Sequence, residues 1–237
     1  MKVYYDLHIH SALSPCADES MTPNNIVLMA KIKGLNLISV TDHNSAKNIE
    51  AVAKICEREG ILFIPGIEVE TVEGVHLLCY CETIETMNQI GEMVEKHLGP
   101  IKNRSEFFGT QLVMNEEDEI LQSIETLLIQ STTLTMGEIV QFVHQVGGIV
   151  IAAHINKSEH NILTNLGFIP KGLELDGVEL NTFILKQQGK MNQFENYLVL
   201  INSDAHQLGD ISESENFIIL KRQSLPDFIS YIKGETK

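Results

Sequence analysis

Short apolar runs alternate with amphipathic segments along most of this 237-residue sequence. The runs have the length of buried β-strands, and the segments between them carry apolar residues at helical spacing. Residues 35–41 form such a run, and the segment after it places apolar residues at i, i+3, i+4 and i+7, namely Ile49, Val52, Ala53 and Cys56. The alternation is typical of βαβ units, so it predicts an α/β fold with a largely parallel sheet, open or closed into a barrel.

The pattern predicts strands at residues 3–10, 35–41, 61–68, 75–81, 149–153, 177–181, 198–202 and 217–220. Helices are predicted at residues 22–34, 45–60, 84–98, 120–128, 135–147, 186–197 and 225–232. Thr135 and Glu138 form the T-x-x-E pattern of a capping box before one of these helices. Glu73-Gly74 separates two strands as a hairpin turn would, so the strand at 75–81 is expected to run antiparallel and to return His76 to the mouth beside Glu68.

The polar residues that follow the predicted strands favour the barrel. In (β/α) barrels the functional site is built at the carboxyl ends of several strands, and here those positions carry histidines and acids. Six of the nine histidines lie at strand ends or at the hairpin: His8, His10, His43, His76, His154 and His206. The acids that belong with them are Asp18, Glu68 and Asp204.

These side chains are candidate metal ligands, and together they are too many for one ion. An ion that keeps a position for water uses three or four protein ligands, so the set predicts about two or three divalent ions. Imidazole and carboxylate without thiolate favour zinc, manganese or iron. Asp6, His8 and His10 alternate along the first strand, so we expect them to share one face, with Asp6 holding an imidazole N–H.

Composition narrows the class of protein. A chain of this length is expected to form one domain over residues 1–237, with an insertion at about 82–134. The formal net charge is −15, from 17 basic and 32 acidic residues. Because non-specific binding to long nucleic acid needs a basic surface, this charge predicts a small substrate and no duplex nucleic acid partner.

The chain is expected to be cytoplasmic and to have no membrane partner. Asp6 and His8 interrupt the apolar run that a secretory signal would need, and no apolar run reaches the length of a membrane span. Reduced thiols are then expected at the four cysteines, Cys16, Cys56, Cys79 and Cys81. The sequence predicts no particular oligomeric state.

Five motifs, taken in order, resemble those of the polymerase and histidinol phosphatase (PHP) family. They are His8-Ile9-His10, Thr41-Asp42-His43-Asn44, Gly66-Ile67-Glu68 with His76, Ala152-Ala153-His154 and Asn202-Ser203-Asp204-Ala205-His206. The resemblance covers residues 4–210 apart from the insertion. It implies a distorted (β/α)7 barrel with a trinuclear metal site and, in this chain, one helical insertion.

The resemblance also implies which ligands hold each ion. The implied sets are His8, His10, Glu68 and Asp204; Glu68 as a bridge with His76 and His154; and His43, His206 and Asp18. Two alternatives stay open. Glu19 is the alternative to Asp18, because the loop of residues 11–21 is longer than the usual family spacing, and Glu70 is the alternative to Glu68, because the two share a strand face.

By the same resemblance we expect a metal-dependent phosphoesterase that hydrolyses a small phosphate ester, such as a nucleotide or a sugar-like phosphate. Divalent ions lower the pKa of a bound water and neutralise charge on phosphoryl oxygens, so metal-bound hydroxide is the expected nucleophile. The sequence contains neither a G-x-S-x-G elbow nor a P-loop. The expected catalytic residues are Glu68, His8, Asp204 and His206.

Arg104, Lys102 and His160 are the candidate substrate contacts. Lys102 and Arg104 belong to a segment, residues 102–109, with two aromatic residues, which either covers a pocket or is a surface connection. His160 lies in the loop after His154, which either holds a substrate phosphate or is a polar surface loop. Asp42 is interpreted as a carboxylate that supports the site and not as a ligand.

Three other functions are alternatives to this one. A nuclease that trims short single strands is disfavoured by the acidic charge and by the lack of a basic groove with aromatic residues. A non-catalytic regulatory module is disfavoured because the candidate ligand positions are all kept. An amidohydrolase would need a bridging lysine, which the predicted strand ends lack.

Overall fold

The computed structural model describes residues 1–188, 194 and 196–234. The strands are β1 (Lys2–Ile9), β2 (Leu37–Val40), β3 (Leu62–Phe63), β4 (Gly66–Glu70), β5 (His76–Tyr80), β6 (Leu112–Met114), β7 (Ile120–Ser123), β8 (Ile149–Ala152), β9 (Gly177–Asn181), β10 (Val199–Asn202) and β11 (Phe217–Ile219). The helices are α1 (Pro23–Ile32), α2 (Ile49–Glu59), α3 (Ile84–Lys96), α4 (Ser105–Phe108), α5 (Met136–Gln145), α6 (Ile162–Leu166), α7 (Thr182–Gln188) and α8 (Leu225–Ile232).

Half of the predicted helix at residues 186–197 lies outside the described residues, and α7 begins earlier than that helix was expected to begin. The capping box of α5 is confirmed, because Thr135 and Glu138 each accept a hydrogen bond from the other's backbone N–H. Within the described ranges, no helix combines the length and apolar character that crossing a membrane requires.

Nine of the strands form two mixed sheets. The first has the order β11-β1-β2-β3, with β11 antiparallel to the others. The second has the order β10-β9-β8-β5-β4, in which β5 is antiparallel to both of its neighbours. The predicted antiparallel strand after the Glu73-Gly74 turn is therefore confirmed.

The two sheets meet through single bridges and not through a continuous ladder. Ile9 bridges Ala205, and His43 bridges Glu68, so the contact lies just beyond the carboxyl ends of β1, β2 and β10. The α/β class with mixed sheets is confirmed. The described strands do not close into one barrel, and the seven-stranded barrel stays a prediction.

The chain passes from the first sheet to the second within the predicted strand at residues 61–68. That strand is divided, because β3 pairs with β2 whereas β4 pairs with β5. Pro65 lies at the break, and proline removes the N–H that a continuous ladder would need. The division gives Glu68 a place in the second sheet opposite His43.

Alternating residues of the strands face two different hydrophobic clusters. Leu78 and Tyr80 of β5 belong to a cluster with residues of β1 and β8, into which Phe228 of α8 also packs. Leu77 and Cys79 belong to the cluster that contains the inner faces of α2, α3 and α5. Because side chains alternate along a strand, His76 lies on the same face of β5 as Leu78 and Tyr80. Its side chain therefore follows theirs along that face.

The insertion differs from its prediction in one element. The helix expected at 84–98 is confirmed by α3, but the helix expected at 120–128 is wrong, because β7 occupies its start and pairs with β6. A turn explains the difference. Asn115 accepts hydrogen bonds from the backbone N–H groups of Glu117 and Glu119, and Asp118 adopts a positive φ of 62°.

We expect Gly66→Ala to destabilise the protein, because a Cβ there would lie 2.4 Å from Ser39 Oγ and 2.7 Å from Thr41 Cγ2. Overpacking of this kind costs about 1–3 kcal/mol, which urea unfolding would show as a lower midpoint. Gly137→Ala is the matched control, because nothing lies within 4 Å of its added Cβ. Equal midpoints for the two variants would contradict the packing described at the start of β4.

Candidate metal centre

Eight of the nine candidate ligands converge where the two sheets meet. They come from β1 or the residue after it, from the segments just after β2, β8 and β10, from β4, and from the first residue of β5. The antiparallel direction of β5 brings its first residue to the same end as the last residues of its neighbours. The converging side chains are His8, His10, His43, Glu68, His76, His154, Asp204 and His206.

Glu68 lies at the middle of the cluster and is fully buried. Its Oε1 lies 3.0 Å from His76 Nδ1 and 3.1 Å from His154 Nε2. Its Oε2 lies 2.9 Å from His43 Nδ1 and 3.3 Å from His10 Nε2. One carboxylate thus faces imidazoles from both sheets, which is the position that a bridging ligand requires.

Asp204 makes the second junction of the cluster. Its Oδ1 lies 3.2 Å from both His8 Nε2 and His10 Nε2. The two ring nitrogens are themselves 3.1 Å apart. Because two N–H groups cannot face each other at this distance, at least one of the two ring nitrogens offers a lone pair toward the space between them.

The carboxylates are held in their ionised form. Burial disfavours the charge of Glu68, but His76, His8 and His43 outweigh burial and hold its pKa well below the usual range. Burial also disfavours the charge of His76, yet Glu68 and Glu70 raise the pKa of this imidazole to about 9. Burial likewise disfavours the charge of Asp204, but the neighbouring cationic groups outweigh burial. They hold the pKa of Asp204 well below its usual range, mainly through His8.

Two imidazoles are kept neutral instead. Burial lowers the pKa of His43 to about 4. Burial, with help from the nearby His10, lowers the pKa of His206 to about 3. Neutral imidazoles and ionised carboxylates are the forms of these side chains that bind metal ions.

The residues fit divalent ions on the evidence of their unpartnered atoms. Four buried atoms of the cluster make no well-aligned hydrogen bond within the described part of the chain: Glu68 Oε2 and His43 Nδ1, which lie 2.9 Å apart without the geometry of a hydrogen bond, His76 Nε2 and His154 Nδ1. Ligand atoms of three groups lie within 4.8 Å of one another, and these groups are His8, His10 and Asp204; His43, Glu68 and His76; and His10, His43 and His206. Nitrogen and oxygen donors without thiolate suit zinc, manganese or iron.

Backbone strain is concentrated around the same cluster. Non-glycine residues rarely adopt a positive φ, because it brings Cβ close to the backbone. Asn44, His154, His160 and Asp204 do so, with φ of 49°, 27°, 54° and 56°. Strained conformations of this kind collect at functional sites, where the surroundings hold them in place.

Asp6 does not hold an imidazole, contrary to the expectation from alternation along β1. The pairing of β1 with β2 has an irregularity between Asp6 and Ile9, which changes the direction of the side chains beyond it. Asp6 instead accepts hydrogen bonds from Ser203 Oγ at 2.6 Å and from the backbone N–H of Ser212 at 2.8 Å.

Glu179 of β9 takes the role that Asp6 was expected to have. Both of its carboxylate oxygens lie 3.0 Å from His8 Nδ1, and the residue is fully buried. It also accepts a hydrogen bond from the backbone N–H of His154 at 2.8 Å. A carboxylate on Nδ1 fixes the imidazole so that Nε2 faces the centre. A lone acid within the apolar run 177–181 was the available sequence signal, because buried acids are rare without a partner.

Ser14 supports His10 in the same manner. Its Oγ lies 2.9 Å from His10 Nδ1 and donates to Asp42 Oδ1 at 2.7 Å. Asp42 contacts no imidazole, so its carboxylate supports the centre through Ser14. Sequence analysis did not select Ser14, since serine in a loop carries no distinctive signal.

Asp18 is not brought to the cluster. Its side chain is exposed and accepts a hydrogen bond from the backbone N–H of Ser20 at 2.8 Å, while its own N–H donates to the carbonyl of His206. Glu19, the alternative, accepts from Thr110 at 3.0 Å. These hydrogen bonds hold the loop with both carboxylates turned away, so neither joins the group of His10, His43 and His206.

The predicted substrate contacts separate into two groups. Lys102 pairs with Glu125 on the surface, and the Arg104 guanidinium stacks on the ring of Phe107 at 4.9 Å. Neither of these cations lines the cavity at the metal cluster. His160 does line the cavity, and its ring stacks on His76 with centroids 4.8 Å apart.

The cavity at the cluster has a volume of ≈ 520 Å³ and is lined by six of the candidate ligands. Lys157, which sequence analysis did not select, also lines it and forms an ion pair with Asp204. The pairing with Asp204 raises the pKa of Lys157 against the effect of burial, so this ammonium stays charged. A charged amine and a group of buried acids and imidazoles therefore face one space.

A family model described as the PHP domain matches residues 6–182. The match includes the motifs around His8, His43, Glu68 and His154 and ends before Asp204.

Among curated relatives, the 3′,5′-nucleoside bisphosphate phosphatase of Chromobacterium violaceum is 34% identical over 71 residues, which is 30% of this chain and 24% of that protein. The uncharacterized protein YqxK of Bacillus subtilis is 25% identical over 266 residues, which is 99% of this chain and 62% of that protein. The chain thus spans less than two thirds of the length of either relative.

Solved structures share the fold. The lesion-specific endonuclease PfuEndoQ of Pyrococcus furiosus has a TM-score of 0.74 and 21% sequence identity, and the alignment covers 100% of this chain and 57% of that one. A second structure, of Endonuclease Q in complex with a 27-mer duplex that has an abasic lesion at the active site, has a TM-score of 0.73.

The prediction of no duplex nucleic acid partner is contradicted by that complex. It was based on the net charge of the whole chain, but the same fold holds a duplex in Endonuclease Q. Binding of nucleic acid depends on the electrostatic field at the site itself and on the other parts of a protein. The net charge of a whole chain reports neither of these.

We expect Glu179→Gln to weaken metal binding about 10–100-fold, because it removes the charged partner of His8 Nδ1. Metal content after dialysis against buffers of decreasing free zinc or manganese would measure the change. Glu174→Gln, at an exposed position, is the control. Equal metal content in both variants would show that Glu179 does not orient a ligand.

Proposed function

We propose that this chain, which belongs to the PHP domain family, is a metal-dependent phosphoesterase that hydrolyses a small phosphate ester, of the nucleotide or sugar-phosphate type. The observation that carries the proposal is the convergence of eight nitrogen and oxygen ligands, six of which line one cavity beside a charged lysine. The relative from Chromobacterium violaceum, a nucleoside bisphosphate phosphatase, supports the reaction type.

The ligands would hold two or three divalent ions in overlapping sets. His8, His10 and Asp204 form one set, and Glu68 with His76 and His154 forms the next. The third set is His10, His43 and His206, which has no carboxylate among its close members. Bound divalent ions lower the pKa of water and neutralise charge on phosphoryl oxygens.

The protein's own contribution is to orient the ligands and to bind the ester. Glu179 fixes His8, and Ser14 fixes His10, so the rings at the end of β1 keep one direction. Because these contacts exist before substrate binds, little reorganisation is needed during the reaction. His8, Glu68, Asp204 and His206 are thus assigned to the catalytic centre.

Lys157 is assigned to the phosphate of the substrate. Its ammonium is paired with Asp204 and lines the cavity, so a phosphoryl oxygen near Asp204 would lie within its reach. His160, on the same loop and lining the same cavity, is the second candidate contact. Lys102 and Arg104 have partners elsewhere, so the loop after β8 replaces the insertion as the proposed phosphate-binding segment.

We expect Glu68→Gln to reduce phosphate release by more than about 100-fold, since even indirect partners of metal ligands contribute about 10–100-fold. The assay is phosphate release from a panel of nucleotides and sugar phosphates with added Mn²⁺ or Zn²⁺. The melting temperature of the metal-free variant should fall, because the buried imidazoles lose their charge partner, so phosphate release is compared at a temperature where both proteins are folded. Glu57→Gln is the exposed control. A fully metal-loaded parent protein that releases no phosphate from any ester would refute the proposed function.

We expect Lys157→Ala to raise KM for a phosphate ester about 10–100-fold, the range for losing a hydrogen bond to a charged group. Lys157→Arg should restore most of the loss, because it keeps the charge. Lys171→Ala, at an exposed position away from the cavity, should leave KM unchanged. An unchanged KM in Lys157→Ala would remove this residue from the binding site.

A further inference from the structure

A second cavity of ≈ 550 Å³ adjoins the cavity at the metal cluster. Lys157, Ile184 and Asp204 line both cavities, so the two spaces join beside the ion pair of Lys157 and Asp204. A phosphate at this junction would leave the second cavity free for the rest of the ester. The second cavity alone has the size of a small-molecule binding site.

Phe183 presents an aromatic ring to this second cavity. The side chain of Phe183 is 70% exposed. Phe183 lies on α7, and the start of this helix is anchored to the ends of two strands. Asn181 accepts a hydrogen bond from the N–H of Ile184 and donates one to the carbonyl of Ser203. Thr182 donates to the carbonyl of Asn202. The start of α7, which carries this ring, is therefore anchored beside the segment that carries Asp204.

The polar groups of the second cavity suit a neutral molecule with several hydrogen-bonding groups. Asp210 and Glu213, which can accept hydrogen bonds from N–H or O–H groups, line this space. Ser203 and Ser212 line it as well. Carboxylates that face a cavity favour a ligand that supplies N–H or O–H donors.

The lysines of the second cavity are already paired. Lys33 pairs with Glu213 at 3.2 Å, and Lys186 pairs with Glu215 at 2.7 Å. Among the lining residues that the structure describes, a second phosphate would meet Asp210 and Glu213, and the lysines other than Lys157 already have acidic partners. The charges therefore favour an uncharged group in this cavity and a phosphate at Lys157.

We propose that the second cavity binds the nucleoside of a nucleotide whose phosphate ester lies at the metal cluster. The nucleobase stacks on Phe183, and hydroxyl or amino groups of the sugar or base donate hydrogen bonds to Asp210 or Glu213. The inference rests on the proposed phosphoesterase activity and names its substrate class. Stacking on an aromatic side chain does not distinguish one nucleobase from another, because every base has a flat aromatic face. Purine and pyrimidine nucleotides are therefore both expected to bind.

The test compares esters with and without a base. We measure kcat/KM of the metal-loaded parent and of Phe183→Ala for adenosine 5′-monophosphate, adenosine 3′-monophosphate and ribose 5-phosphate. Phe183→Ala is expected to lower kcat/KM for the nucleotides about tenfold, within the range measured for base stacking, and to change the ribose ester less than twofold. Phe183→Trp should restore the nucleotide rate.

Phe168→Ala is the matched control, because Phe168 is 62% exposed and lines neither cavity. It should leave all three esters unaffected. Equal losses on the ribose ester and the nucleotides in Phe183→Ala, or no loss on either, would overturn the proposal.

A binding measurement separates this proposal from the proposed activity. The fluorescence of 2-aminopurine riboside 5′-monophosphate is quenched by stacking, so the parent should quench it and Phe183→Ala should not. Quenching that depends on Phe183 without hydrolysis of any ester would retain the nucleoside site and refute the activity. Hydrolysis without quenching that depends on Phe183 would retain the activity and refute the nucleoside site.

Discussion

The burial of two carboxylates, Glu68 and Asp204, among imidazoles is the constraint on which the rest of the site depends. A buried carboxylate without partners is strongly destabilising, so its surroundings must supply opposite charge or hydrogen-bond donors. Five histidine rings contact Glu68, and Lys157 pairs with Asp204. None of these groups lies on the same strand as the carboxylate it contacts. Charge compensation therefore ties the ends of β1, β2, β5, β8 and β10 to β4.

Local departures from a regular sheet make this convergence possible. In a strictly parallel sheet the first residue of a strand lies at the opposite end from the last residues of its neighbours. The antiparallel direction of β5 moves His76 to the end where Glu68 lies. The irregularity in β1 and the positive φ of His154 and Asp204 redirect the remaining ligands. The strain of these positions is held by the charge contacts that they create.

The sequence predicted the ligands better than their surroundings because each ligand belongs to a short local pattern. A histidine just after a buried strand identifies its own place at the end of a sheet. Glu179 depends on a contact with His8 across 171 residues of sequence, and no local pattern reports such a contact. Asp18 was assigned by resemblance to the family, but the turn to Ser20 directs its side chain outward. The helix expected after Asp118 failed for a similar reason, since a turn fixed by side-chain hydrogen bonds outweighed helical spacing.

Asp6 links the metal cluster to the second cavity. Its carboxylate lies near His8 on β1, yet it binds Ser203 and Ser212 and not an imidazole. Ser203 precedes Asp204, and Ser212 lines the second cavity. Because Asp6 and His8 belong to one strand, the loop that lines this cavity is held at a fixed distance from the imidazoles. An enzyme gains rate by fixing the two ends of its substrate relative to one another. One strand therefore sets the position of the metal ligands and of the space in which the rest of the ester would lie.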